Sequence, residues 1–195
     1  MMKTMILLSA SLWVLGAQAR PPAGPSADCC SSPVPATGVT LTASETSALL
    51  FQIEEERMAR ELYTALDAKW DARTFSRIRA AEARHEQQLR ALAERAGLTV
   101  PAAVEGRFAD PVLQQRHDSL LARGLASRAD AWAVGAAVER QDLADLQALL
   151  RAETSPALRE VATRLAAGST RHLAAFTDSP GAAPSAGQRG RRARI

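Results

Sequence analysis

A chain of 195 residues, 47% hydrophobic and only 4% aromatic, has room for one domain with a sizeable core and flanking segments. Runs of Val, Ile, Thr and aromatic residues are missing, which excludes an all-β reading and points to an all-helical domain. The formal charge of +3 belongs to the ends. Six of the 24 basic residues and one of the 21 acidic residues lie outside 44–178, so that region carries −2 and offers no basic face for specific nucleic-acid binding.

In chain order, residues 1–19 read as a secretory signal peptide. Lys3 gives a basic start, Thr4 to Gly16 is mostly apolar, and Ala17-Gln18-Ala19 places small residues where a signal peptidase reads them. The apolar run is too short for a membrane span. The expectation is an exported protein, periplasmic or extracellular, with no transmembrane segment after cleavage. Residues 20–43 hold five of the ten prolines and read as a disordered linker. Cys29 and Cys30 are adjacent within it and cannot staple distant parts of a core. An oxidising compartment would permit a vicinal disulfide or a crosslink between chains, but incidental thiols are the plainer reading. Residues 179–195, rich in Gly, Pro, Ala, Ser and Arg, read as a disordered basic tail.

Between the flanks, over 44–178, the apolar period is helical. Ser44, or Ser47, is expected to cap a first helix carrying Leu49, Ile53, Ala59, Tyr63, Leu66 and Trp70 on its inner stripe. A second helix starts near Arg73, presents Phe75, Ile78, Leu89 and Leu92, and stops at Gly97. Residues 99–110 form a connection. Asp110-Pro111 opens a short helix, Val112 to Arg123, which Gly124 is expected to close. A third long helix runs from about Ser127 to Arg151, with Trp132, Ala136, Leu143, Leu146 and Leu150 inward. Ser155-Pro156 opens the last, with Leu158, Val161, Leu165, Leu173 and Phe176. Two tight helical hairpins joined by one longer crossover make a four-helix bundle.

Polar residues interrupt these stripes at one level. Glu56 follows Ile53 by three residues and precedes Tyr63 by seven. Glu82 and His85 fall between Ile78 and Leu89, Glu139 lies between Ala136 and Leu143 with Asp142 one turn on, and His172 follows Leu165 by seven. Each long helix thus carries a candidate ligand near its middle. A buried carboxylate is costly unless it is paired or bound to metal. Glu82-x-x-His85 sets both side chains on one helix face. Oxygen and imidazole donors without thiolate suit iron or manganese, and zinc less selectively. Glu54, Glu55, Glu61 and Glu86 read as solvated, and His117 as a surface or packing residue.

The set Glu56, Glu82-x-x-His85, Glu139 and His172 resembles the ligand pattern of ferritin-like and rubrerythrin-like di-iron proteins. Glu56 with Tyr63 resembles the first helix of ferritins, and Glu139 with Asp142 resembles a carboxylate pair of rubrerythrins. Residues 53–60, Ile-Glu-Glu-Glu-Arg-Met-Ala-Arg, and Gly168-Ser169-x-x-His172-Leu173 are similar to a family of small bacterial ferritin-like proteins without an assigned reaction. The resemblance spans about 44–178. It implies an all-α, ferritin-like four-helix bundle with a short extra helix in the long crossover. It also implies a dinuclear iron or manganese site ligated by Glu56, Glu82, His85, Glu139, His172 and Asp142, with Tyr63 and Ser169 beside it. One departure is plain: Ser169 stands where rubrerythrins have a fourth-helix carboxylate, so that Asp142 or Glu55 would have to substitute, or the site would hold a single ion.

The functions this predicts are oxidase- or peroxidase-type redox activity at a dinuclear centre, metal binding without turnover, or a metal-free interaction bundle. Metal ions are the expected partners, a homodimer is compatible with the sequence, and a storage cage is disfavoured by the two long flanks. No residue pattern identifies an organic substrate.

Overall fold

The computed structural model describes residues 38–178. The signal peptide, the cysteines and the basic tail read from the sequence lie outside the described residues. Among those described are five helices and one isolated two-residue bridge, so the all-α expectation holds.

Helix α1 (Ala43–Trp70) begins one turn earlier than Ser44 or Ser47 would allow. Thr42 is the cap. Its hydroxyl accepts from the Glu45 amide at 3.2 Å while the Glu45 carboxylate accepts from the Thr42 amide at 2.8 Å. Only Thr42 has an acidic residue three positions on that can return the bond, and this reciprocal pair decides the start. Ser47 instead donates to the Ala43 carbonyl from inside the helix. Helix α2 (Arg73–Arg95) ends as expected. Gly97 takes φ +68°, and the Leu98 amide reaches back to the Ala93 carbonyl at 2.9 Å, a left-handed stop that glycine adopts without strain.

Helix α3 (Pro111–Ala126) is capped by Asp110, whose carboxylate accepts from the Val112 amide at 2.7 Å. It does not stop at Gly124. A Cβ at that position would lie 2.7 Å from Leu66 Cδ2, so glycine is there to let α3 approach α1. The Gly124 carbonyl accepts from Trp70 Nε1 at 2.9 Å. Ser127 then ends α3 and caps α4 (Arg128–Arg151). Ser155 caps α5 (Pro156–Thr177), with Pro156 in its first turn.

Helices α1 and α2 form one hairpin and α4 and α5 the other. The pairs α1–α4 and α2–α5 close a four-helix bundle, and α3 lies across α1 and α4. The expected stripes are mostly buried, although Leu143, Leu150, Leu173 and Trp70 are only half-buried flank residues. The core has two apolar parts. One is aromatic, with Tyr63, Phe75, Trp132 and Phe176 in mutual ring contact at 4.8–6.0 Å. The other is aliphatic, with Leu49, Ile53, Leu89, Leu146, Leu158 and Leu165. The polar residues of the four helices lie between them. No helix among the described residues is long and apolar enough to cross a membrane.

Candidate metal centre

Each helix meets this middle level with polar side chains where its sequence departs from the apolar stripe. Glu56, Glu82, His85, Glu139, Asp142 and Ser169 are all buried, and His172 is nearly so. Two triads form. Glu56, Glu82 and His85 each offer a donor atom within 4.8 Å of the others, and so do Glu82, Glu139 and His172. Glu82 belongs to both. Its Oε2 lies 2.8 Å from His85 Nδ1, and its Oε1 lies 2.9 Å from His172 Nδ1. His85 Nδ1 is also 3.3 Å from Glu56 Oε2, and His172 Nδ1 is 3.5 Å from Glu139 Oε2. The two imidazoles stack, their centroids 5.5 Å apart and their planes 25° apart.

These close approaches are poorly satisfied as hydrogen bonds. Glu56 Oε1, Glu82 Oε1, His85 Nδ1, His172 Nδ1 and Asp142 Oδ1 are buried without a hydrogen-bond partner. Such orphans are rare in a folded core and each costs about 1–3 kcal/mol. Water does not relieve the carboxylate oxygens among them, because the small space lined by Glu55, Glu56, Glu82, Glu139 and Asp142 is too narrow for a water molecule. Two donor atoms each about 2.1 Å from one cation and at right angles would be about 3.0 Å apart, which is the separation of Glu82 from each histidine. The residues therefore fit a divalent cation of the first transition row on their own geometry.

The electrostatics agree. Burial, reinforced by Asp142 and Glu82, pushes the Glu56 carboxyl well above its ordinary value. Burial and Glu82 bring Glu139 to about 8 despite His172 and Tyr63. Burial brings Asp142 to about 7 although the Ser169 hydroxyl lowers it. Glu82 goes the other way. Burial raises it, but the contacts with His172 and His85 outweigh burial and hold it well below the usual range. His172 is depressed by burial and yet carried to about 10 by Glu139 and Glu82. Without a cation, one carboxylate and one imidazolium dominate and the remaining acids tend to keep their protons.

Tyr63 stands beside the site. Its hydroxyl donates to Glu139 Oε1 at 2.6 Å, which fixes that carboxylate's rotation. Ser169 donates to the Leu165 carbonyl of its own helix at 3.1 Å and brings no carboxylate. Gly168 admits His85, since a Cβ there would lie 2.6 Å from the ring.

The structure thus brings Glu56, Glu82, His85, Glu139 and His172 together, and it sets Asp142 on the same closed space but in neither triad. Sequence reasoning read Glu55 as solvated, while naming it as one substitute for the missing fourth-helix carboxylate. It is not solvated: it is 2% exposed, accepts from Gln52 Nε2 at 2.9 Å and Arg116 Nη1 at 2.8 Å, and faces the same space. Glu54, Glu61 and Glu86 are also engaged. Glu54 accepts from the Ala109 and Asp110 amides, Glu61 from the Gly106 amide, and Glu86 pairs with Arg60 and Arg90. His117 packs against the Phe108 ring, away from the site, as a packing histidine should.

Comparison with known proteins follows the same span. Residues 45–184 match the family described as "Uncharacterized protein domain (DUF2202)". Uncharacterized protein MJ0754 of Methanocaldococcus jannaschii is 30% identical over 138 residues, which cover 70% of this chain and 75% of that protein. The crystal structure of hypothetical protein MJ0754 from Methanococcus jannaschii DSM 2661 matches with a TM-score of 0.69 at 29% identity, over 72% of this chain and 81% of that one. The chain belongs to the DUF2202 family.

Proposed function

We propose that this member of the DUF2202 family is an exported, ferritin-like metal-binding protein whose carboxylate–histidine site takes iron or manganese. The observation that carries the reading is Glu82, set between two histidine nitrogens, amid five orphaned buried donor atoms. Export rests on the signal-like residues 1–19.

Glu82 is the bridging candidate, Glu56 and His85 complete one side, and Glu139 and His172 complete the other. A bound iron or manganese pair would supply reversible one-electron chemistry toward oxygen or peroxide. The chain's own contribution is to keep water from the carboxylates, seat His85 against Gly168 and orient Glu139 through Tyr63. Asp142, close to the space but outside both triads, can swing a carboxylate toward it. Turnover of the oxidase or peroxidase kind is the activity we propose for such a loaded site.

A second reading, metal binding without turnover, is favoured by one observation. Ser169 spends its hydroxyl on Leu165 and leaves the fourth long helix with His172 alone, an asymmetric donor set. The test is metal content. Residues 20–195, purified without a metal-binding tag, are expected to carry about two iron or manganese ions per chain, lost in Glu82→Ala/His85→Ala. About one ion, equally lost, selects the second reading. No ion even after anaerobic addition of ferrous iron or manganese overturns both.

A further inference from the structure

The closed space has two flanks. Toward α2 and α5 the stacked rings of His85 and His172 stand against Glu82, with Gly168 pressed against His85. Toward α1 and α4 the chemistry differs. Asp145, one turn beyond Asp142, has a side chain 30% exposed. Its carboxylate shares the Arg116 guanidinium with that of Glu55. Glu55 and Asp142 both line the space itself, and Asp142 Oδ1 is a buried atom with no partner. The carboxylates therefore run without interruption from solvent to the candidate ligands. Over them lies Arg116, the one cation the crossover helix α3 contributes here. It is 2.8 Å from Glu55 and 3.9 Å from Asp145, and its side chain is 22% exposed.

We propose that the α1–α4 flank beneath α3 is the access route for divalent cations, with Asp145, Glu55 and Asp142 as successive oxygen ligands and Arg116 as the displaceable cation that closes it. This rests on the metal-binding reading above. A hydrated ion sheds water reluctantly, and a line of carboxylates replaces that water step by step. The guanidinium holds Glu55 while the route is idle, so an arriving cation takes over the contact that Arg116 gives up. Asp145 is the outermost acid and remains wet enough to capture the ion.

The test is the rate of metal uptake by the full chain, stripped with chelator and mixed rapidly with cobalt(II) alone, followed by the visible absorbance of the bound ion. Glu55→Gln and Asp145→Asn are expected to load about tenfold or more slowly, in line with the loss of electrostatic focusing, and to reach the wild-type end point. Arg116→Ala is expected to load faster. Arg116→Lys, which keeps the charge but not the planar fork, is the conservative second variant and is expected to fall between it and wild type. Arg84→Ala, exposed on the opposite flank, should match wild type. Wild-type rates in the Glu55, Asp145 and Arg116 variants overturn the route. A lower end point in Glu55→Gln at an unchanged rate also overturns it, by making Glu55 a resident ligand. A wild-type chain that takes up no cobalt instead brings down the metal-binding reading on which the route depends.

Discussion

At the scale of single residues, the site is built as much from what is left out as from what is present. Gly168 has no Cβ because His85 fills that place. Gly168→Ala is expected to displace the ring, cost about 1–3 kcal/mol by overpacking and weaken metal binding. Thermal denaturation and a cobalt titration check this, and an unchanged affinity would show that His85 is not a ligand. Tyr63 makes the complementary case. Tyr63→Phe removes the donor to Glu139 Oε1 from a fully buried position, and a loss of about 1–2 kcal/mol is expected in the metal-free protein. Chemical denaturation at fixed pH reads that loss, and a variant as stable as wild type would contradict the bond's role. The burial of Glu56, Glu82, His85, Glu139 and His172 was legible in the sequence because a polar side chain that breaks an apolar stripe is a one-dimensional signal. That of Glu55 was not, because its neighbour Glu56 occupies the inward position. Only the arrival of Arg116, 61 positions away, explains its burial.

At the scale of elements, the helix ends carry much of the local specificity. Thr42 and Glu45 close the start of α1, and Glu45 also accepts from the Ser155 amide, which ties α1 to the start of α5. These backbone bonds from Thr42 and Ser155 lower the Glu45 carboxyl to about 2. A depressed acid contributes stability that is present above its unfolded value of 4.5 and disappears as the pH falls through about 2. Glu45→Gln is therefore expected to destabilise the protein at pH 6 and to make little difference near pH 2. Unfolding free energies measured across that range check it, and a difference that persists at pH 2 would sink the assignment. The connection between α2 and α3 is anchored in the same polar manner. Arg57 donates to the Val104 and Arg107 carbonyls and lies 4.2 Å from the Phe108 ring centre, while Glu54 and Glu61 accept from the connection's amides. On a linear reading, Glu54 and Glu61 are charges on a solvated face. They are anchors because the crossover folds back over α1, which helical periodicity does not encode.

At the scale of the whole molecule, an apolar bundle is divided by a level of acids and imidazoles, and the fold must offset that cost. In the metal-free protein Glu139, Asp142 and Glu55 are raised to about 8, 7 and 9, so the folded state retains protons that the unfolded chain releases. The sign follows: metal-free stability falls as the pH rises from the ordinary carboxyl range toward 9. His172, raised to about 10, adds stability present below 6.5 and lost through that higher value, in the same direction. The melting temperature in chelator is expected to be higher at pH 6 than at pH 8.5. Bound metal needs the carboxylates ionised, so its stabilisation should be larger at pH 8.5 than at pH 6 and should vanish on chelation. Identical melting curves with and without metal at both pH values would favour a metal-free interaction bundle.

The sequence by itself determined that the chain is helical, where its long helices run, that two hairpins are joined by a longer crossover, and that Glu56, Glu82, His85, Glu139 and Asp142 enter the core. These follow from period and spacing, which are properties of neighbours along the chain. Tertiary structure decided the rest. It set Glu82 between two histidines from different helices, made Gly124 a point of close approach and not a stop, pressed His85 against Gly168, and laid α3 so that Arg116 covers Glu55. These depend on the distance between helices remote in sequence. That distance is set by how side chains of particular volume interlock across the bundle, and no pattern along a single helix contains it.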